Sequence, residues 1–257
     1  MGKKSSANVN KNKEKREARK VQQRRIADGM SYVASANKLT DMAALCKELL
    51  VFRNLDLEVD MYIQKGTQLD KEVLDWAIDL TERNMKSLYE TCAWGWNYAR
   101  KVEEMTDQEA WYLIAKETSG KPLAFSHFRF DMDFGEPVLY CYEVQVESGG
   151  RRRGLGQRVL NVLEQLAHAT KMQCVRLTAL THNPSAQAFF RACGYSTDET
   201  SPAKEDAAHY EILSKPTRDQ SACIHRKMQL SDALMKFIYL ARDWSNEITR
   251  ALTSSIV

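Results

Sequence analysis

The stretch that most restricts this chain runs from Val138 to Lys171. VLYCYEVQVE (138–147), rich in β-branched and aromatic residues, reads as a strand. SGGRRRGLGQ follows, and then Val159, Leu163, Leu166 and Ala167 recur at helical spacing. A strand that enters a helix through glycines commits the chain to an α/β arrangement and makes an anion site at the turn. The glycines let the backbone approach a phosphate, while unpaired N–H groups and the positive end of the helix dipole face it. Two common loops of this kind are excluded. A P-loop needs Lys and Ser/Thr after its last glycine, where this chain has Gln157 and Arg158. A dinucleotide fingerprint needs a third glycine where Val159 stands, and no convincing acidic residue ends the next strand.

The patterning on either side supplies a sheet. Leu55, Leu57, Val59, Met61 and Ile63 alternate with more polar residues, the period of two of a half-buried strand. Apolar residues return at helical spacing from Leu69 to about Tyr89, with Asp70 as a candidate N-cap, and 91–110 reads as a loop and a short helix. WYLIAKE (111–117), PLAFSHFRFDMDF (122–134), CVRLTAL (174–180) and YEIL read as strands, and Asn183-Pro184 opens the helix PSAQAFFRACG. A weaker helical pattern covers 30–50, with Asp41 as a cap. The order helix, three strands, helix, strand, helix, strand predicts an α/β domain with a mixed sheet flanked by helices. Beyond it, Leu230, Leu234, Phe237, Ile238, Ala241, Trp244, Ile248 and Leu252 define an amphipathic helix that needs a partner surface, expected to be the domain itself.

Composition narrows the class. With 44% hydrophobic residues among 257, the chain has enough apolar content for a buried core, which excludes global disorder. No window approaches 18 consecutive apolar residues, so no membrane span is expected. The six cysteines form no CxxC pair, which argues for reduced thiols and against a metal site or disulfide framework. The formal charge of +3 is a sum of unlike parts. Residues 1–30 hold ten Lys/Arg against Glu14, Glu17 and Asp28, a net of +7, which leaves a net of −4 for the rest. The expected division is a basic arm (1–30), a catalytic-size domain with an N-terminal helical segment (31–216) and a C-terminal extension (217–257). The arm's cations suit nucleic acid, an anionic membrane surface or nuclear import. Met1-Gly2-Lys3-Lys4-Ser5-Ser6 also fits lipidation of Gly2 by myristate.

Two spaced motifs carry a family resemblance. Arg151, Gly154 and Gly156 match Arg/Gln-x-x-Gly-x-Gly/Ala, and NPSAQAFFRACGY (183–195) matches Asn-x-x-Ala-x-x-Phe-Phe/Tyr-x-x-x-Gly-Phe/Tyr. In this order they resemble the GCN5-related N-acetyltransferases. Between 75 and 215, WAIDLTERNMKSLYE, WGW, EEMTD, AFSHFRFD, VLYCYEVQVES, LTALTHN and YEILSK resemble the catalytic chains of the N-terminal acetyltransferase D family. The resemblance implies the GCN5-related fold, with the arm as a basic helical extension, and acetyl-CoA as cofactor. It implies acetyl transfer to the free N-terminal serine amine of histone 4 and histone 2A tails, by a monomer of nucleus and cytoplasm. A lysine or small-molecule acetyltransferase and a non-catalytic binding module are the alternatives.

The same resemblance implies a site. Cofactor contacts fall on Val144, Gln145, Val146, Arg151, Arg152, Arg153, Gly154, Leu155, Gly156, Gln157 and Asn183. Substrate contacts fall on Tyr89, Trp94, Asp131, Met132, Asp133, Tyr140, Tyr142, Thr178 and Tyr210, with Glu143 as general base and Tyr142 as its catalytic companion. An α-amine, with a pKa of about 7.7–8.0 against about 10.4 for lysine, makes a single carboxylate sufficient. Strict alternation sends Tyr142 and Glu143 to opposite faces, so both reach one centre only if the strand bulges there. One departure matters. Phe189 and Phe190 fill the places where many enzymes of the superfamily carry a tyrosine acid, which leaves Tyr142 or water to protonate the leaving thiolate. Cys141, with no His/Asp partner evident, reads as a buried strand thiol, His182 as a turn cap and His127 as structural.

Overall fold

A computed structural model describes residues 3–54 and 57–217. Gly2, Leu55 and the amphipathic pattern at 230–252 lie outside the described residues. The elements follow in the order α1 (Lys3–Asn37), β1 (Val51–Asn54), β2 (Leu57–Lys65), α2 (Lys71–Glu90), α3 (Tyr98–Met105), β3 (Trp111–Glu117), β4 (Pro122–Asp133) and β5 (Glu136–Val146). Then come α4 (Leu155–Ala169), β6 (Cys174–Leu180), α5 (Pro184–Ala192), β7 (Ser196–Thr197) and β8 (Tyr210–Pro216). The strands form one sheet in the order β1-β2-β3-β4-β5-β6-β8-β7. Its only parallel pair among the described residues is β5/β6, joined by the crossover through α4.

Alternation divides the sheet into two cores. Trp111, Leu113 and Ala115 of β3, with Phe128, Phe130, Leu139 and Cys141, pack under α4 and the C-terminal part of α1. Tyr112, Ile114 and Phe125 point to the other face, where Val73, Ala77, Ile78 and Leu80 of α2 and Met105 of α3 cover them. α2 and α4 each bury one apolar face against opposite sides of the sheet, as a two-sided sheet requires.

Two readings change in the first fifty residues. The basic arm and the segment after it form one helix, because nothing between 3 and 37 breaks it. Its C-terminal part is fixed by packing: a Cβ on Gly29 would stand 3.1 Å from both Met132 Cε and Pro137 Cδ, and Asn37 donates to the Phe130 carbonyl at 3.1 Å. The helix expected over 30–50 therefore stops at Asn37. Asp41 does cap, accepting from the Ala44 N–H at 3.1 Å, but only onto 3-10 turns at Ala43–Leu45 and Lys47–Leu49. Val51–Asn54 then pairs with β2, a tertiary gain that its mixed pattern did not announce.

Candidate active site

The anion loop forms as the glycines demand. Gly154 takes φ +84°, a left-handed conformation that disfavours any side chain, and no side chain caps the N-terminus of α4. The first N–H bonded back into the helix from before it is Arg158, to Gly154 at 3.0 Å, so the N–H groups of Leu155, Gly156 and Gln157 face out of the helix end. A Cβ on Gly156 would meet Phe189 Cζ at 3.1 Å, and one on Gly150 would meet Leu155 and Val146 at 3.1 Å. This is a cradle for a phosphate ester, preceded in the chain by Arg151, Arg152 and Arg153, so the residues fit the pyrophosphate of the expected cofactor. Leu155 itself is buried and offers only its backbone.

The bulge also forms. His127 pairs with Glu143 but Phe128 pairs with Cys141, so Tyr142 is the extra residue of β5. Before it, Leu139 and Cys141 join the α4 core; after it, Val144 and Val146 do. The one-residue slip brings Tyr140, Tyr142 and Glu143 to the α2/α3 face together. Beyond the same point β5 and β6 part. Their ladder covers only Val138–Cys141 against Cys174–Leu177, while β6 continues along β8 to Leu180. Among the described residues β5 is thus not paired with β6 beyond Cys141, and the Val146 carbonyl takes Arg151 Nε instead.

Glu143 is deeply held. Its side chain is 5% exposed, with Oε1 accepting from Lys101 Nζ at 3.0 Å and Oε2 from Gln145 Nε2 at 2.8 Å. Lys101, from α3, is itself 9% exposed and donates to Glu104 at 2.8 Å. Burial opposes its charge, but the Glu143 and Glu104 carboxylates outweigh that and hold its pKa well above the usual lysine range.

Around this pair stands an aromatic mouth. Tyr89 lies 6.0 Å from Trp94 and 5.7 Å from Trp96 between ring centroids, and Trp94 lies 4.5 Å from His209 and 5.0 Å from Tyr210. Trp94 is 46% exposed at the edge of this cluster. Tyr140 and Thr178 share a hydrogen bond of 2.6 Å, and the Tyr140 and Tyr142 rings are 5.0 Å apart. Burial, followed by the field of Glu143, pushes the Tyr89 phenol up to about 12. Asp131 is exposed near the end of β4, its Oδ1 accepting from the Met132 N–H at 2.7 Å.

Several expected site residues are placed otherwise. Asp133 is 7% exposed and lies 2.8 Å from Arg176, whose guanidinium also meets Asp198 at 3.2 Å and Glu136 at 3.4 Å; it is a buried structural acid, not a free contact for a basic peptide. Met132, one residue from Asp131, points to the opposite face and packs against Gly29 of α1. Gln145 contributes to the α2/α3 network through its side chain. Asn183 spends its Oδ1 on the Ala186 N–H at 3.1 Å, capping α5. Phe189 and Phe190 are packing residues beside the α4 core. Cys141 is fully enclosed, and burial raises its thiol to about 12, which suits a strand thiol and not a nucleophile.

His127 is buried, stacked between Tyr112 at 5.3 Å and Tyr142 at 5.0 Å, and supports the Tyr142 ring from beneath. Burial, with Arg129 and Lys101 nearby, keeps it neutral. His182 ties the site to α2, its Nε2 meeting the Leu88 carbonyl at 2.8 Å. Sequence reasoning missed Lys101, Asn84, Trp96, Arg129 and His209. WGW pointed at Trp96, whereas a lysine among the charges of YARKVEEM gave no sign of burial.

Comparison with known proteins agrees with this geometry. Residues 72–195 match the acetyltransferase (GNAT) family. The chain is similar to N-alpha-acetyltransferase 40 of Saccharomyces cerevisiae, 27% identical over 157 residues, or 51% of this chain and 54% of that protein. It thus spans about half the length of that curated relative. Among solved structures it is similar to Tetrahymena GCN5 (TM-score 0.49, 13% identity, 62% of this chain and 96% of the other). It is also similar to an aminoglycoside 6'-N-acetyltransferase complexed with coenzyme A (TM-score 0.46, 17% identity, 62% and 98%). Residues 72–195 thus match the acetyltransferase (GNAT) family, and they carry the cradle at the start of α4, the bulged β5 and its parting from β6 within a mixed sheet flanked by helices.

Proposed function

We propose that this protein is an acetyl-CoA-dependent acyltransferase acting on free protein N-termini, with the Ser-Gly-Arg-Gly ends of histone 4 and histone 2A as substrates in nucleus and cytoplasm. The observation that carries this reading is the bulge at Tyr142, which sets Tyr140, Tyr142 and Glu143 on one face under an aromatic mouth, where β5 parts from β6. Bound acetyl-CoA would supply the thioester carbonyl, whose C–S bond breaks as the N–C bond forms.

The chain's own groups divide the remaining tasks. First-turn N–H groups of α4 and the loop arginines hold the phosphates, and the backbone of β5 beyond Cys141 lines the pantetheine path. Tyr89, Trp94, Tyr140 and Tyr210 narrow the mouth around a small first residue, and the exposed Asp131 meets the positive charge of a following arginine. Glu143 accepts the proton that the amine loses, and Tyr142 stands nearest to return one to the departing thiolate.

A lysine acetyltransferase on the same fold is the competing reading. The tight Tyr89/Trp94/Trp96 cluster disfavours it, since a peptide must enter end-on. The test is acetyl transfer to a Ser-Gly-Arg-Gly-Lys peptide with its α-amine free or blocked. Transfer to the free peptide alone is expected; equal transfer to the blocked one overturns the assignment.

A further inference from the structure

One line of hydrogen bonds connects the anion loop to the reaction centre. Arg151, the first residue of the loop motif, donates from Nε to the Val146 carbonyl at 2.9 Å and from Nη2 to Asn84 Oδ1 at 2.8 Å. Asn84 donates from Nδ2 to Gln145 Oε1 at 3.0 Å. Gln145 donates to Glu143 Oε2 at 2.8 Å, and Glu143 Oε1 takes Lys101 at 3.0 Å. The line starts at an exposed arginine, passes through half-buried Asn84 on α2, and ends on a buried carboxylate.

We propose that Asn84 and Gln145 are positioning residues that couple occupancy of the anion loop to the placement of Glu143. The inference rests on the functional reading above and adds a control to it. A primary amide has a donor side and an acceptor side, and Asn84 uses both; turning it breaks two bonds at once, so the link has two states, not a graded one. The edge of Arg151 that now holds Asn84 is the edge a phosphate would take. A guanidinium–phosphate pair is charge-assisted on both sides, whereas the amide oxygen is neutral, so the phosphate wins that competition. Asn84 is then released, Gln145 loses the partner that orients it, and one oxygen of Glu143 is free to turn toward the amine. Lys101 keeps the other. Before the acyl donor is seated, an arriving amine meets a carboxylate with both oxygens engaged. By linkage, whatever loosens Asn84 must also strengthen binding at the loop.

The test titrates coenzyme A calorimetrically into the full chain and measures kcat, KM and Tm with the free-amine peptide. Asn84→Ala removes the competing acceptor and the relay together. Coenzyme A then binds about fivefold more tightly, while kcat at saturating acetyl-CoA does not fall, because Gln145 stands released in this variant as it does when the loop is filled; a fall of about tenfold at unchanged Tm overturns the release. Asn84→Asp keeps the acceptor, now charged, and loses the donor. Coenzyme A then binds about fivefold more weakly, with kcat at saturating acetyl-CoA and Tm unchanged. An asparagine that merely supports the fold would weaken binding, kcat and Tm together in both variants, and that result overturns the coupling, as does equal affinity in all three proteins. Should Asn84→Ala fail to fold, the near-isosteric Asn84→Asp still decides. If the wild type transfers nothing to a free amine, the functional reading fails separately, and the coenzyme A titrations still judge the coupling.

Discussion

The structure buries a cation among carboxylates twice on the same face of the sheet, and the two clusters differ in what else surrounds them. Arg176 meets Asp133, Glu136 and Asp198, and its side chain is 3% exposed. Lys101 meets Glu143 and Glu104. Burial works against the charge of each cation and the surrounding acids restore it. The Arg176 cluster is held between β4, β6 and the turn at Asp198, with the Asp133 and Asp198 side chains buried and the partly exposed Glu136 also meeting Arg25 of α1 at 3.5 Å, so its acids are consumed in holding the fold together. The Lys101 pair lies under the Tyr89 ring and beside the bulge, at the foot of the aromatic cluster. A buried ion pair is therefore no sign of function by itself; its surroundings are. Arg and Lys also suit their roles, since a guanidinium satisfies three acids in fixed geometry whereas an ammonium is a compact charge on a flexible stem.

That contrast can be broken experimentally. The largest effect is expected from Glu143→Gln, which should lower kcat by about 10²- to 10⁴-fold with a modest change in melting temperature; full activity would remove Glu143 from the chemistry. Asp133→Ala should do the reverse. Taking one acid from a buried pair costs about 3 kcal/mol or somewhat less here, because Asp198 and Glu136 remain beside Arg176. Transfer by the folded fraction should persist, and a kcat loss without a stability loss would contradict the assignment of Asp133 to the fold.

A smaller effect should appear on acidification. Although burial works to raise it, bonds from Ser214 and Thr200 and the charge of Arg176 set the Asp198 pKa below its ordinary value. A depressed folded pKa stabilises above the unfolded value, near 3.9, and that contribution is lost as pH falls through the folded one. Denaturant melts in Asp198→Asn should thus differ from wild type at pH 6 and converge below about pH 4. For Lys101 the sign is opposite. Its raised pKa stabilises fully below about 10.4 and fails only as pH rises through the folded value, so Lys101→Met should differ from wild type at neutral pH. The smallest effect is at the loop, where Gly154→Ala forces a side chain to φ +84° at a cost of about 1 kcal/mol. Weaker coenzyme A binding should accompany it.

Much of this architecture was legible. WYLIAKE and CVRLTAL became β3 and β6 with the limits their patterns indicate, because a buried strand bounded by turns is a local signal. The bulge was expected from the roles that the resemblance implies for Tyr142 and Glu143, neighbours that share a face only if the strand slips between them. Asp131, Met132 and Asp133 were less transparent. Alternation separates Met132 from its neighbours, but whether α1 or the mouth covers a given face depends on a helix far earlier in the chain. Arg176 likewise gave no local indication that it would consume Asp133.

The sequence by itself determined the order of the elements, the anion cradle before α4 and the aromatic and acidic residues of β5. Each of these rests on interactions within a few residues: periodicity, glycine conformations and helix-end N–H groups. Only the tertiary structure decided which acid is free and which is bound, that Lys101 sits on Glu143, and that Arg151 reaches it through Asn84 and Gln145. Those contacts join residues far apart in the chain, and they exist because strand register and helix packing bring together side chains whose local sequences say nothing of one another.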